Sequence, residues 1–346
     1  MSSILSGSSD FFGLDIGTTA IRLVQLHGSS KPKVLLKYAY IPLEGTLSMS
    51  DAKVDQQKLA QTIAQLVKAA GVNTRNAAIG IPSNRVFTTV ADVEDLSSGE
   101  LAKAITYEAD SLIPTPLEES KIDWAIIGNS PADKTKKEIL LTSVPNKFVE
   151  ERLDMLESIG LNVIAFEPDY LAMARSLSVS ESTSPQMILD IGNKSSDLVI
   201  VINEIPHLSR SIPSGVDAFV RAAQQNLSID VKQAQQFVFK FGLSQDKLEG
   251  QVYQAINGVL DLLTSEIEKS MKYFHNRYKL SNIDRIIVTG GASVIPEFPL
   301  TLANRFNLNV EIGNSWRNIS YSQDRQNELL AISNQFGVAA GLAERL

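Results

Sequence analysis

The tetrapeptide Leu-Asp-Ile-Gly occurs twice in the same frame, and this repeat constrains the fold more than any other feature. Leu14-Asp15-Ile16-Gly17 closes one apolar run, and after five residues Leu23-Val24 opens another. Leu189-Asp190-Ile191-Gly192 does the same ahead of Leu198-Val199. Each copy reads as a strand, a tight polar turn and a second strand. With one copy per half of 346 residues, a length that suits two domains, the frame predicts a duplicated α/β domain.

The periodicity around the two copies supports this. Lys33–Pro42 continues the first hairpin as a third strand, and Leu59, Ile63, Leu66 and Ala70 mark a helix face with a stop at Gly71. Ala77–Pro82 reads as a short buried strand. Residues 85–160 change character: strand, helix, two strands across a Lys-rich tip, then the helix Phe148–Ile159. This βαββα block reads as an inserted subdomain. Val163–Phe166 is a strand, Glu167-Pro168 opens a helix over Asp169–Leu177, and Ser176–Pro185 is a linker. In the second half, Ile205–Pro213 is the third strand, a long helix ends near Tyr278, Arg285–Val288 is a strand running into Gly290-Gly291, and Leu329–Ala343 is one final helix. The expected division is 1–84 with 161–184, an insert at 85–160, and a second domain at 185–346. Two such domains imply a cleft between them, where ligands tend to bind.

Composition narrows the function. A net charge of −7 without a basic run argues against nucleic acid as a partner. With no cysteine there is no disulfide framework and no thiolate metal site. His27, His207 and His275 are scattered, without metal-ligand spacing. No apolar run reaches the ~20 residues of a membrane span, and Met1–Asp10, Ser-rich and without basic residues, is not a signal peptide although it carries Ile4 and Leu5.

The turns have the chemistry of phosphate sites. Backbone N–H groups and hydroxyls converge on phosphate where small residues permit close approach. Gly17-Thr18-Thr19 and Gly192-Asn193-Lys194-Ser195-Ser196 both fit. Asp15 and Asp190, at the ends of the preceding strands, suit Mg²⁺ held through its waters. Arg22 and Lys194 would offset phosphate charge. Each Asp-Ile-Gly alone is equally a strand end with its turn; the paired copies shift the balance to phosphate. Gly290-Gly291, an ordinary turn if taken alone, would let backbone approach a base or ribose.

These motifs resemble the actin, Hsp70 and sugar-kinase superfamily. Leu14–Arg22 and Leu189–Asp197 match its two phosphate motifs, and Val288-Thr289-Gly290-Gly291-Ala292-Ser293 its adenosine motif. The inserted block resembles the subdomain of the FtsA-like branch. Within that branch, Asp15 through Val24, and Tyr107-Glu108-Ala109-Asp110 followed by Ile113-Pro114-Thr115-Pro116-Leu117-Glu118-Glu119, resemble the PilM family of type IV pilus assembly. The resemblance implies duplicated actin-like (ribonuclease H-like) domains and a cytoplasmic ATP-binding adaptor, with Mg²⁺. It implies that the N-terminal cytoplasmic tail of a PilN-like inner-membrane protein is bound between the first domain and the insert, linking it to the pilus motor ATPases. Membrane association would then run through the partner, with self-association open.

Glu167-Pro168 matches the Glu-Pro of bacterial actins, where the Glu orients the attacking water; the alternative is a helix cap. Two departures bear on turnover. Gln235 and Val238 stand where relatives carry Glu and Lys toward the ribose, and Asn193-Lys194 replaces small residues in the second turn. Nucleotide binding with slow or absent ATPase activity is the expectation. A sugar kinase is the enzymatic alternative, but no sugar-site constellation with a carboxylate base is evident. An FtsA-like division filament would end in a basic membrane helix, whereas here the sequence ends Gly341-Leu342-Ala343-Glu344-Arg345-Leu346.

Overall fold

The structure, a computed structural model, describes residues 10–44, 47–179, 182–279 and 282–345. Ile4 and Leu5, and the middle of the Ser176–Pro185 linker, lie outside them. In chain order the chain begins β1 (Phe12–Ile16), β2 (Ala20–His27), β3 (Lys33–Pro42), α1 (Lys53–Ala70) and β4 (Asn76–Ile81). The next block is β5 (Phe87–Glu94), α2 (Ser98–Leu112), β6 (Ser120–Asn129), β7 (Lys136–Pro145) and α3 (Asn146–Ser158). Then come β8 (Asn162–Pro168), α4 (Asp169–Leu177), β9 (Gln186–Ile191), β10 (Ser196–Ile202) and β11 (Ile205–Ile212). Three helices follow, α5 (Val216–Leu227), α6 (Val231–Phe241) and α7 (Gln251–Arg277). The remainder is β12 (Arg285–Gly290), α8 (Phe298–Phe306), β13 (Asn309–Ile312), β14 (Ile319–Ser320), α9 (Gln326–Ile332) and α10 (Gly337–Ala343).

The duplication is visible in the sheets. One runs β3-β2-β1-β4-β8, with β14 beyond β3; the other runs β11-β10-β9-β12-β13. The first three strands of each set pair antiparallel, and the last two add in parallel. The two hairpins share a register as well. Asp15 faces Arg22 and Ile16 faces Ile21; Asp190 faces Asp197 and Ile191 faces Ser196. A parallel neighbour on one side and an antiparallel one on the other make β1 and β9 interior strands of their sheets, and both are almost wholly buried.

Two compact units result. The first gathers Met1–Arg85, Val144–Leu177 and Asn314–Leu346; the second gathers Val86–Ser143 and Ser178–Gly313. The expected βαββα order of the insert is present, but α3 falls in the first unit, where Met155 and Leu156 join the core of Leu59, Ile63 and Ile79. Residues 314–346 also fall in the first unit, rather than with the second half as expected. The reason is α10, Gly337-Val338-Ala339-Ala340-Gly341-Leu342-Ala343, buried along its whole length. Ser176 Oγ donates to its Gly337 carbonyl at 2.6 Å. Trp316, Phe336 and Tyr38 stack beside it over β2 and β3.

The single helix expected over Leu329–Ala343 is two, α9 and α10, separated by a 3₁₀ turn at Ser333–Gln335. The Ser333 carbonyl accepts from the amide and hydroxyl of Ser315, which draws it out of a continuous helical ladder.

In the second unit, α5, α7 and α8 close one face of the β9–β13 sheet around Phe219, Ile256, Ile267 and Phe298. Its three-stranded sheet, β5-β7-β6, is covered by α2 through Leu101, Ile105 and Ala109.

Candidate functional site

In the first unit the Gly17 N–H donates to the Ala20 carbonyl at 3.1 Å and closes the turn. In the second the Gly192 N–H donates to Ser195 at 3.0 Å. The two expected phosphate turns are thus built by the same backbone bond.

Asp15, at the carboxyl end of β1, is buried, and its nearest cation is Arg22 Nη1 at 3.5 Å, directly across the hairpin. Burial pushes the Asp15 carboxyl up from its ordinary value, and the charge and hydrogen bond of Arg22 oppose that rise. That single contact is at the limit of a hydrogen bond, and Arg22 Nε is buried without a partner.

The second unit assembles its candidate residues at one end of its sheet, where β9 and β12 finish side by side. Thr289 pairs with Asp190, and Gly290 with Ile191. Gly290 has φ 79°, a left-handed backbone, and a Cβ there would collide with Asp190 Oδ1. Only glycine satisfies both conditions. Gly291 lies against Val216 and the Ile191 carbonyl, and Ala292 is fully buried. The Ser293 hydroxyl donates to the Gly290 carbonyl at 2.7 Å and fixes the turn.

α5 begins on the Gly192 turn. The Val216 and Asp217 amides donate to the Gly192 and Asn193 carbonyls, each at 3.0 Å. Lys194, expected to meet phosphate charge, donates to Asp217 Oδ2 at 2.9 Å, and Arg221 stands 3.4 Å from the same oxygen. Sequence spacing gave no sign of this pair, because 23 residues separate its members. Gln235 is exposed on α6, while Val238 points into the core. Val238 is therefore a packing residue.

Glu167, at the end of β8, is 2% exposed. Arg175 donates to its Oε1, and Arg345 to its Oε2 at 2.7 Å. Both oxygens are engaged by guanidinium groups of the first unit. That is the arrangement of a structural tie, and it leaves the water-orienting role without support from the local geometry.

A further cluster went unrecognised in the sequence. Glu138 of β7, also 2% exposed, accepts from Tyr278 Oη at 2.7 Å and Arg277 Nε at 2.8 Å. His207 Nδ1 of β11 lies 3.3 Å from its other oxygen, and Arg277 Nη2 also reaches Asp92 of β5 at 2.6 Å. Burial raises the Glu138 carboxyl, but the hydrogen bonds from His207, Tyr278 and Arg277 outweigh burial and hold it below its ordinary value. The cluster joins the two sheets of the second unit. The one hint in the sequence was a lone carboxylate, Glu138, beginning the apolar run of β7.

Among the described residues no group of three or more potential His, Cys, Asp or Glu ligands forms a metal cage, and no helix is long and apolar enough to cross a membrane.

Comparison with known proteins places the chain among relatives. The model of the family "Type IV pilus assembly protein PilM" matches residues 13–346. A "PilM-PilN type IV pilus biogenesis complex" is 24% identical with a TM-score of 0.81, over 97% of this chain and 98% of that one. The ethanolamine utilization protein EutJ from Carboxydothermus hydrogenoformans is 13% identical with a TM-score of 0.57, over 96% and 88%. MreB 5 of Spiroplasma citri bound to AMPPNP is 12% identical with a TM-score of 0.52, over 96% and 95%. These likenesses extend over the full pair of duplicated actin-like domains.

Proposed function

The chain belongs to the PilM family of type IV pilus assembly proteins, and on that premise we propose that it is a nucleotide-binding adaptor of pilus assembly. Its output is a protein contact: it takes the N-terminal cytoplasmic tail of a PilN-like inner-membrane protein and links it to the pilus motor. The observation that carries this reading is the family match over nearly the whole chain, insert included. The similar solved complex, which pairs PilM with PilN, supports the choice of partner. The protein would work in the cytoplasm, at the inner membrane through that partner.

ATP is the proposed ligand. In the first unit Thr18 and Thr19 offer amides and hydroxyls to phosphate, and Gly17 permits close approach. In the second, Asn193 and Ser195 do so beside Gly192, and Gly290, Gly291 and Ala292 meet the nucleoside. The residues suit such a group: each hairpin carries an Asp at its strand end beside a glycine turn closed by the same backbone bond. In each unit the carboxylate at the strand end, Asp15 or Asp190, is the candidate to hold Mg²⁺ through water, since Mg²⁺ keeps much of its hydration shell. Bound Mg²⁺ would offset the polyphosphate charge. With Lys194 tied to Asp217 and Glu167 tied to two arginines, the chain's own residues are arranged for holding a nucleotide rather than for turnover.

The test is calorimetric titration of the full chain with a PilN-like N-terminal peptide, with and without Mg-ATP. Binding in the low micromolar range is expected. No heat at high micromolar peptide would overturn the adaptor reading, as would phosphoryl transfer to any member of a panel of sugars.

A further inference from the structure

Arg152 of α3 is 8% exposed, and its Nη1 is buried without a hydrogen-bond partner. Its Nη2 makes one long bond, 3.4 Å to the Ser48 carbonyl. Among the described residues no carboxylate lies within ion-pair distance of it. Arg85, exposed at the end of the turn Ser83–Arg85, likewise has no acidic partner among them. The two guanidinium groups share one aromatic ring: Arg152 lies 5.4 Å and Arg85 5.7 Å from the centroid of Phe148. Burial lowers the Arg152 pKa to about 10, the Arg85 charge adds to that, and Asp51 opposes it. The side-chain oxygens of Ser48 and Ser83 are also buried without partners.

Burying a guanidinium beside a like charge, with a donor left open, is unfavourable unless something completes the site. Phe148 is the third residue of α3, a 13-residue helix whose N-terminus has no side-chain cap. The partial positive charge of that helix end adds to the same preference. All of these groups belong to the first unit, and none is part of the Gly17 or Gly192 turns.

We infer that Arg85, Arg152, Ser48 and Ser83 form an oxyanion-binding site at the start of α3, for a ligand carrying a phosphate or a carboxylate. Arg152 supplies the desolvated fork that such groups take in bidentate fashion. Arg85 supplies a second charge from the solvent side. The hydroxyls complete the shell. An anion there would relieve the repulsion between the two arginines and satisfy the open donor in one step. The site uses none of the residues proposed for the nucleotide.

Titration of the full chain with inorganic phosphate, and separately with succinate, at constant ionic strength tests this. Saturable binding is expected for at least one probe, weakened about tenfold in Arg85→Gln and in Arg152→Lys, as for loss of one charge-assisted contact. Tighter phosphate assigns a phosphorylated ligand, and tighter succinate a carboxylate-bearing one. Arg85→Gln removes an exposed like charge from beside Arg152, so its melting temperature in chloride should not fall below that of the unsubstituted protein. Wild-type affinity in Arg85→Gln would overturn the site, because the probe would then be bound elsewhere. Failure of both probes to bind at about 20 mM, weaker than any useful affinity, would overturn it equally.

Discussion

Arg175 Nη1 donates to the carbonyl of Gly341 at 2.6 Å, across a helix pair so close that no side chain fits at position 341. A Cβ on Gly341 would overlap the backbone of Ala172 in α4. Gly341→Ala is therefore expected to destabilise the first unit by about 3 kcal/mol, since backbone must shift to admit the methyl group. Urea unfolding checks this. A loss under 1 kcal/mol would mean that the helices separate freely.

Glu167 holds Arg175 and Arg345 from a position almost closed to water, while Arg345 remains 39% exposed on its side chain. Glu167→Gln should cost about 2–3 kcal/mol, because two guanidinium groups lose their common counter-ion. Arg345→Ala should cost about 1 kcal/mol, the range of a partly solvated pair. The same denaturation experiment ranks them. If Glu167 serves only as this tie, ATP affinity per folded molecule stays unchanged in Glu167→Gln.

The Glu138 cluster makes stability depend on pH. Its carboxyl is held below the ordinary value in the folded state, so the folded state binds its proton less tightly than the unfolded chain does. The stabilisation is therefore fully present above the ordinary carboxylate pKa and is lost as pH falls through the depressed one. Melting temperatures of the unsubstituted protein and Glu138→Gln should differ most near neutrality and converge toward acid pH. A constant gap across the acid range would show that the charge on Glu138 is irrelevant.

Asp190→Ala should weaken Mg-ATP binding by about 1–3 kcal/mol, the loss of one ordering contact to a charged group. Calorimetry reads this directly. Unchanged affinity would remove Asp190 from the proposed site.

The hairpin pair was legible from the sequence because its information is local. A strand end, a small-residue turn and a return strand occupy ten consecutive positions, and the register copies faithfully from Asp15 to Asp190. The destination of residues 314–346 was not legible. Apolar period marks a helix face but does not name the sheet that receives it. The signal available was the run of small residues from Gly337 to Ala343, which asks for unusually close packing. Lys194 and Glu167 were recognised as chemically able residues, yet the partner of Lys194 lies 23 positions away and the second arginine of Glu167 lies 178. Spacing arguments have no access to such pairs. Val238 was aligned toward a ligand, and its burial shows that face of α6 turned inward.

The first unit is assembled from three separated stretches of chain, the last of which carries α10. On a ribosome, residues 178–313 emerge before α10 does. The sheet that starts the chain must therefore wait, with one face of β1 and β4 uncovered, until more than three hundred residues have been made. The second unit can close first, and the protein that begins folding at its N-terminus finishes there. Long-range closure of this kind is slow and exposes apolar surface, so the interval before α10 docks is when a nascent chain would most need shielding.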